Sequence, residues 1–95
     1  MSDVFDALAH PVRRKILKLL RDGPLSAGDL AQRFELAKPT LSGHFTVLKA
    51  ADLVATERRG TSIIYSLNMS VLEEAMAALM SIAGATAAEP EGEPT

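Results

Sequence analysis

Cysteine and tryptophan are missing from this 95-residue chain, and it has only one tyrosine and three phenylalanines. Without thiols it can form neither disulfides nor thiolate metal sites. With so few aromatics its core has to be built from Leu, Ala, Val and Ile, and 47% of the residues are hydrophobic. No apolar run approaches the roughly 18 residues of a membrane span, and the N-terminus lacks the basic, apolar and small-residue succession of a signal peptide. These absences lead to the expectation of a soluble, cytoplasmic protein. No nucleophile–base pair, carboxylate pair or phosphate-cradling loop occurs, so no enzyme is expected. The length allows one small domain, whose limited core a second copy of the chain would help to cover.

Basic residues are absent from the last quarter of the chain, and this reshapes the net charge of −2. Residues 1–70 hold all 10 Lys and Arg against 7 Asp and Glu, a balance of +3; residues 71–95 hold 5 Glu, a balance of −5. The overall acidity therefore belongs to the C-terminal segment, and the rest carries a modest positive excess suited to a polyanionic partner.

Along the chain, Ser2 is placed to cap a first helix with Val4, Phe5 and Leu8 on one apolar face. Pro11 suits the first position of a second helix, where its missing N–H costs nothing. That helix would bury Val12, Ile16, Leu17, Leu19 and Leu20, present Arg13, Arg14, Lys15, Lys18 and Arg21 to solvent, and stop at Gly23-Pro24. Ser26 and Asp29 resemble a capping box for a third helix burying Leu30, Ala31 and Phe34. A turn at residues 36–39 leads to a fourth helix, with Pro39 in its first turn. After Asp52 the apolar period changes from 3.6 to 2, and LVATERR and TSIIYSL flank Arg59-Gly60-Thr61, a hairpin signal. Asn68 or Ser70, the latter at capping-box spacing from Glu73, would open a last helix. Val71, Leu72, Ala75, Met76, Leu79, Met80 and Ile82 occupy most of its circumference, too much for the surface of a monomer. The expected division is a domain over residues 1–84 and a disordered acidic tail over residues 85–95.

The third and fourth helices around a tight turn read as a helix-turn-helix. Leu41, Phe45 and Leu48 form the apolar stripe of the fourth helix, while Lys38, Thr40, Ser42, Gly43, Thr46 and Lys49 form a small, polar opposite face. Hydroxyls and amines of that size can bond phosphates and base edges in a major groove. An unpaired cation at a helix N-terminus opposes the helix dipole, which favours a phosphate or base contact for Lys38. His44 is open between a half-buried packing role and a phosphate contact. Arg58 and Arg59 at the hairpin tip would reach phosphates or the minor groove. Arg13, Arg14 and Lys18 read as a solvated face, with a phosphate-backbone contact as the alternative.

The order of elements, with FDALAHPVRRKILKLL, PTLSGHFTVLKAADLV and RRGTSIIYSLN in sequence, resembles the ArsR/SmtB family of winged-helix repressors over residues 2–82. LSGHF together with YSLN and SVLEE is most similar to its SdpR-like, autorepressor branch. The resemblance implies a mainly α winged helix-turn-helix, α-α-α-α-β-β-α. It implies a homodimer through the first and last helices that binds a palindromic operator in double-stranded DNA. The seam would then take Val4, Phe5, Leu8, Leu72, Met76, Leu79 and Met80. The DNA-binding set would be Lys38, Thr40, Ser42, Gly43, His44, Thr46, Arg58 and Arg59. Metal-sensing relatives carry cysteine pairs on the third helix or His/Asp sets on the last. Here the third helix reads SAGDLAQRF and the last has no histidine, so no metal or other cofactor is expected. Two rival readings remain: a regulator answering a small molecule in a dimer-interface pocket, with no effector identified by the residues, and a winged helix serving protein interaction.

Overall fold

The first two helices meet at His10-Pro11. In the computed structural model, which describes residues 2–84, helix α1 spans Ser2–Leu8 and α2 spans Pro11–Leu20. The His10 ring caps α2 by accepting from the Val12 backbone N–H at 3.2 Å, and Pro11 takes the first helical position as expected. Ser2 lies inside α1 rather than ahead of it. The expected tail, residues 85–95, lies outside the described residues.

After Gly23-Pro24 the chain forms a two-residue strand, β1 (Leu25–Ser26), which the sequence pattern did not announce. Ser26 closes this strand and also caps α3 (Ala27–Ala31), its hydroxyl accepting from the Asp29 N–H at 3.0 Å. Helix α3 is shorter than expected: it stops at Ala31, and Phe34 packs against the core from the following turn, with the Lys15 ammonium 4.9 Å over its ring. Helix α4 spans Lys38–Ala50, with Pro39 in its first turn and no side-chain cap at Ala37.

The end of α4 is a Schellman motif. The Leu53 N–H bonds the Leu48 carbonyl at 3.1 Å, and the Asp52 N–H bonds that of Lys49 at 3.0 Å. Leu48 and Leu53 are both fully buried, supplying the apolar contact that accompanies this motif. Asp52 takes the left-handed position with φ 60°, where glycine is the usual residue.

Strands β2 (Val54–Arg59) and β3 (Ser62–Leu67) form the expected hairpin, and Gly60 opens its two-residue turn with φ 62°. β3 is central, pairing antiparallel with β2 from Val54↔Leu67 to Arg59↔Ser62 and with β1 through Leu25↔Tyr65 and Ser26↔Ile64. Phe45 of α4 packs on Tyr65 of β3, ring centroids 4.7 Å apart, and this contact fixes the hairpin beside α4. The core joins Ile16 and Leu17 of α2, Leu30 of α3, Leu41, Phe45 and Leu48 of α4, and Leu53, Val54 and Tyr65.

Helix α5 spans Met69–Ala83 and ends at Gly84. Asn68 takes the N-cap position without a side-chain bond, and Ser70 lies inside the helix, so the Ser70–Glu73 capping box does not form. Of its side chains only Ala75 is buried, while Met76, Leu79, Met80 and Ile82 are exposed.

A left-handed aspartate is strained relative to glycine. Asp52→Gly should therefore stabilise the fold by about 1 kcal/mol, read as a higher urea midpoint at unchanged slope. A lower midpoint would mean that the aspartate side chain holds the turn.

Candidate nucleic-acid interface

Helix α4 is oriented by its buried stripe. With Leu41, Phe45 and Leu48 in the core, Lys38, Thr40, Ser42, Gly43, Thr46 and Lys49 all fall on the exposed side, and His44 is half-buried at its edge. The structure thus brings the expected α4 residues onto one surface. Their chemistry is not equal. The Thr46 hydroxyl donates to the Ser42 carbonyl one turn back, at 3.1 Å, so its proton is engaged within the helix. Ser42 keeps its hydroxyl free among the described side-chain bonds. A Cβ built at Gly43 would meet nothing within 4 Å, so packing inside the protomer does not require glycine there.

The wing carries Arg58 and Arg59 at the end of β2, both exposed. Glu57 and Arg59 lie two residues apart, on one face of the strand. The Arg59 guanidinium sits 3.4 Å from the Glu57 carboxylate, with both side chains more than half exposed. Such a pair adds little stability but offsets part of the arginine's charge. Among the described residues Arg58 shows no such partner.

The structure revises the reading of α2. Arg13 and Arg14 are not a plain solvated face: Arg13 donates from Nε to the Ala7 carbonyl (2.8 Å) and from Nη2 to that of Asp6 (3.0 Å). Arg14 donates to the Leu8 carbonyl at 2.8 Å. These bonds bring side-chain donors to the last carbonyls of α1, where that of Asp6 also accepts from the Ala9 N–H at 3.1 Å, and they place cations at the favourable end of the helix. The third arm of Arg13, Nη1, reaches Nδ1 of His44 at 3.1 Å, and the His10 ring lies against His44 with centroids 4.4 Å apart. Arg13 and His10 are thus neighbours of the α4 surface that sequence reasoning missed. No spacing rule links residues 31 positions apart on separate helices.

His44 titrates below the ordinary imidazole value of 6.5, through burial first and then the nearby His10 and Arg13. The native state therefore takes up a proton there less readily than the unfolded chain. The resulting stability is fully present above 6.5 and is lost as the pH falls through the lower folded value. Among the described residues no three His, Asp or Glu side chains are grouped to hold a metal.

Among the residues expected at a dimer seam, Val4 offers the least surface. It is 6% exposed and belongs to its own protomer's core, leaving little surface for a second chain. Phe5, Leu8 and Leu72 are half-buried, and Met76 and Leu79 are about half exposed, at 50% and 51%. No helix among the described residues is long and apolar enough to cross a membrane.

A helix-turn-helix whose second helix bares a polar face, flanked by a β-hairpin, defines the class of winged helix-turn-helix proteins. A family model described as a helix-turn-helix domain matches residues 8–57. The chain is 45% identical over 76 residues to the transcriptional repressor SdpR of Bacillus subtilis, covering 80% of this chain and 84% of that protein. It is 38% identical to the arsenical resistance operon repressor of Staphylococcus xylosus, covering 77% and 70%. The crystal structure of an ArsR family transcriptional regulator superposes with a TM-score of 0.81 at 26% identity, covering 87% of this chain and 91% of that one. The chain belongs to the ArsR/SmtB family of winged-helix transcriptional repressors: it is a DNA-binding regulator and not an enzyme.

Two substitutions probe this face. Gly43→Ala should raise stability by about 1 kcal/mol, since the site is open and glycine is a poor helix former. A simultaneous loss of DNA affinity would show that the glycine serves close approach to DNA; unchanged affinity would show that it does not. Glu57→Gln should strengthen DNA binding about threefold by freeing the Arg59 charge, measured by fluorescence anisotropy at fixed salt. Unchanged or weaker binding would remove Arg59 from the interface.

Proposed function

We propose that the chain is a homodimeric autorepressor that needs no metal and acts in the cytoplasm on a palindromic operator near its own promoter. The observation that carries this reading is the single polar surface of α4 beside the wing. Lys38, Thr40 and Ser42 stand at the end of the helix that would enter the groove first, and they supply base readout. Gly43, Thr46 and His44 border them, and Arg58 and Arg59 take phosphates. The apolar side of α5, with Phe5 and Leu8 of α1, is the seam against a second copy: Met76, Leu79 and Met80 are large, exposed and contiguous with half-buried Leu72. Two recognition helices would then enter successive major grooves, about 34 Å apart. Residues 1–84 form the working unit, and residues 85–95 are an acidic tail outside it. The absence of cysteine removes the thiolate chemistry by which arsenic would be bound.

A second reading is favoured by one groove. Leu8, Leu17, Leu67, Met69 and Leu72 line an apolar hollow of about 260 Å³, with Arg14, Lys18 and Arg21 at its rim. Leu8 and Leu72 also belong to the proposed seam, so an apolar anion seated there would act on the dimer. The test is binding of purified protein to its own upstream duplex and to a scrambled one across a salt series. Preference for the upstream DNA, weakening steeply with salt, is expected. Leu79→Glu should give a monomer by sedimentation and lose that preference. A dimer that ignores both duplexes at every salt would overturn autorepression. Binding that keeps its sequence preference in a monomeric variant would overturn the palindrome.

A further inference from the structure

One guanidinium joins the end of α1 to the middle of α4. Arg13 holds the carbonyls of Asp6 and Ala7 with two of its arms and Nδ1 of His44 with the third. A guanidinium has no lone pair to offer, so Nδ1 of His44 is the acceptor, and a neutral ring carries its proton on Nε2. His10 is fixed in the same sense, since its Nδ1 accepts from the Val12 N–H. Among the described residues neither Nε2 has a hydrogen-bond partner, which leaves each N–H for solvent or a ligand.

We propose that Arg13 is a positioning residue for DNA recognition: it fixes His44 as a neutral ring with Nε2–H as its one donor at the edge of the α4 surface, and it ties that donor to the C-terminus of α1. The inference rests on the reading of α4 as the helix that enters the groove. An unrestrained imidazole beside phosphates takes up a proton on binding, so its contribution grows as the pH falls through about 6.5. His44 is prevented from doing this. A second proton would have to sit on Nδ1, against the guanidinium and beside His10. Those two groups, from the start of α2, are the charged and titratable ones acting on it. α1 contributes backbone carbonyls already engaged by Arg13. On α4 the residues one turn away, Thr40, Leu41, Val47 and Leu48, carry no charge. The depressed titration of His44 agrees with this arrangement. Because α1 belongs to the proposed seam, the same guanidinium relates dimer geometry to the α4 surface.

The deciding experiment begins without DNA. Imidazole nitrogen shifts of the full chain, recorded by NMR across pH, should show His44 with its proton on Nε2 and titrating below the ordinary value. Arg13→Lys keeps the charge but cannot fork between α1 and His44. It should mix the His44 tautomers and move the titration up. Operator binding should then fall about tenfold at pH 8, the loss of one hydrogen bond to a charged group, and recover in part at pH 6. The parent should show no such gain on acidification. Arg13→Lys and His44→Asn should be non-additive in a double-mutant cycle. Mixed tautomers in the parent, or a lysine variant that leaves tautomer and titration unchanged, would overturn the role of Arg13 whatever the DNA result. A correct tautomer in a parent that binds no upstream duplex would instead overturn the DNA-binding reading, and the positioning role with it. Should Arg13→Lys fail to fold, the parent spectrum still decides the tautomer. His10→Asn, which keeps an N-cap acceptor, must leave that tautomer in place; its loss would assign the restraint to His10.

Discussion

Everything at the polar surface of α4 depends on how this helix buries Leu41, Phe45 and Leu48. Three apolar side chains on a 3.6-residue period define one stripe, and once that stripe is in the core the azimuth of the helix is fixed. A rotation of a single residue, about 100°, would expose part of the stripe and pull polar groups inward. Lys38, Thr40, Ser42 and Gly43 therefore face outward because of what is buried behind them. The same stripe sets the neighbours. Phe45 places Tyr65, and with it the hairpin, beside the helix, and the position before Phe45 puts His44 at the boundary where α2 reaches it. The polar face of α4, the position of the wing and the Arg13 contact are three consequences of one packing constraint.

The second constraint is size. A chain this short buries a small core, and α5 contributes only Ala75 fully to it. Met76, Leu79 and Met80 are about half exposed. Burying what remains of each would return about half of the ~1.5–3 kcal/mol that full burial of such a side chain contributes, and somewhat more at Ile82. A second protomer packed on this face, as proposed, would return that energy. On α1, Val4 and Ala7 complete the protomer's own core, while Phe5 and Leu8 are left half-buried.

Much of this was legible in the residues, because periodicity and punctuation act locally. Pro11 at the start of α2, Ser26 as a cap, the α4 stripe and the Gly60 turn follow from backbone rules that need no tertiary information. The failures have a common cause. β1 is two residues long and exists because β3 is there to pair with it, so nothing in Leu25-Ser26 alone declares a strand. Ser70 and Glu73 have capping-box spacing, but the helix starts at Met69, where the chain leaves β3, and the Asn68 N–H is already bonded to the Leu53 carbonyl at 2.9 Å. That backbone bond sets the start of α5 and leaves the local signal unused. Arg13 looked solvated because its partners are carbonyls of a different helix and a histidine 31 positions away. Local rules cannot see a contact created by the packing of α1 and α4 against the same end of α2.

The surface that results is restrained in its charge. Arg59 faces Glu57, the Thr46 proton is turned into its own helix, and His44 is held back from a second proton. Residues 1–70 carry an excess of only three positive charges. Counterion release scales with the number of phosphates neutralised, so one protomer with this excess has a small electrostatic contribution to draw on. Two consequences follow for a repressor built this way. The sequence-independent, salt-sensitive term grows with each copy bound, and specificity has to come from base contacts. Under the proposed reading, a second protomer would double the cations offered to phosphates, and donors whose directions are fixed before DNA arrives would lose less freedom on binding. The exposed side of α5 and the three-armed Arg13 contact are the two features of this chain on which those proposals rest.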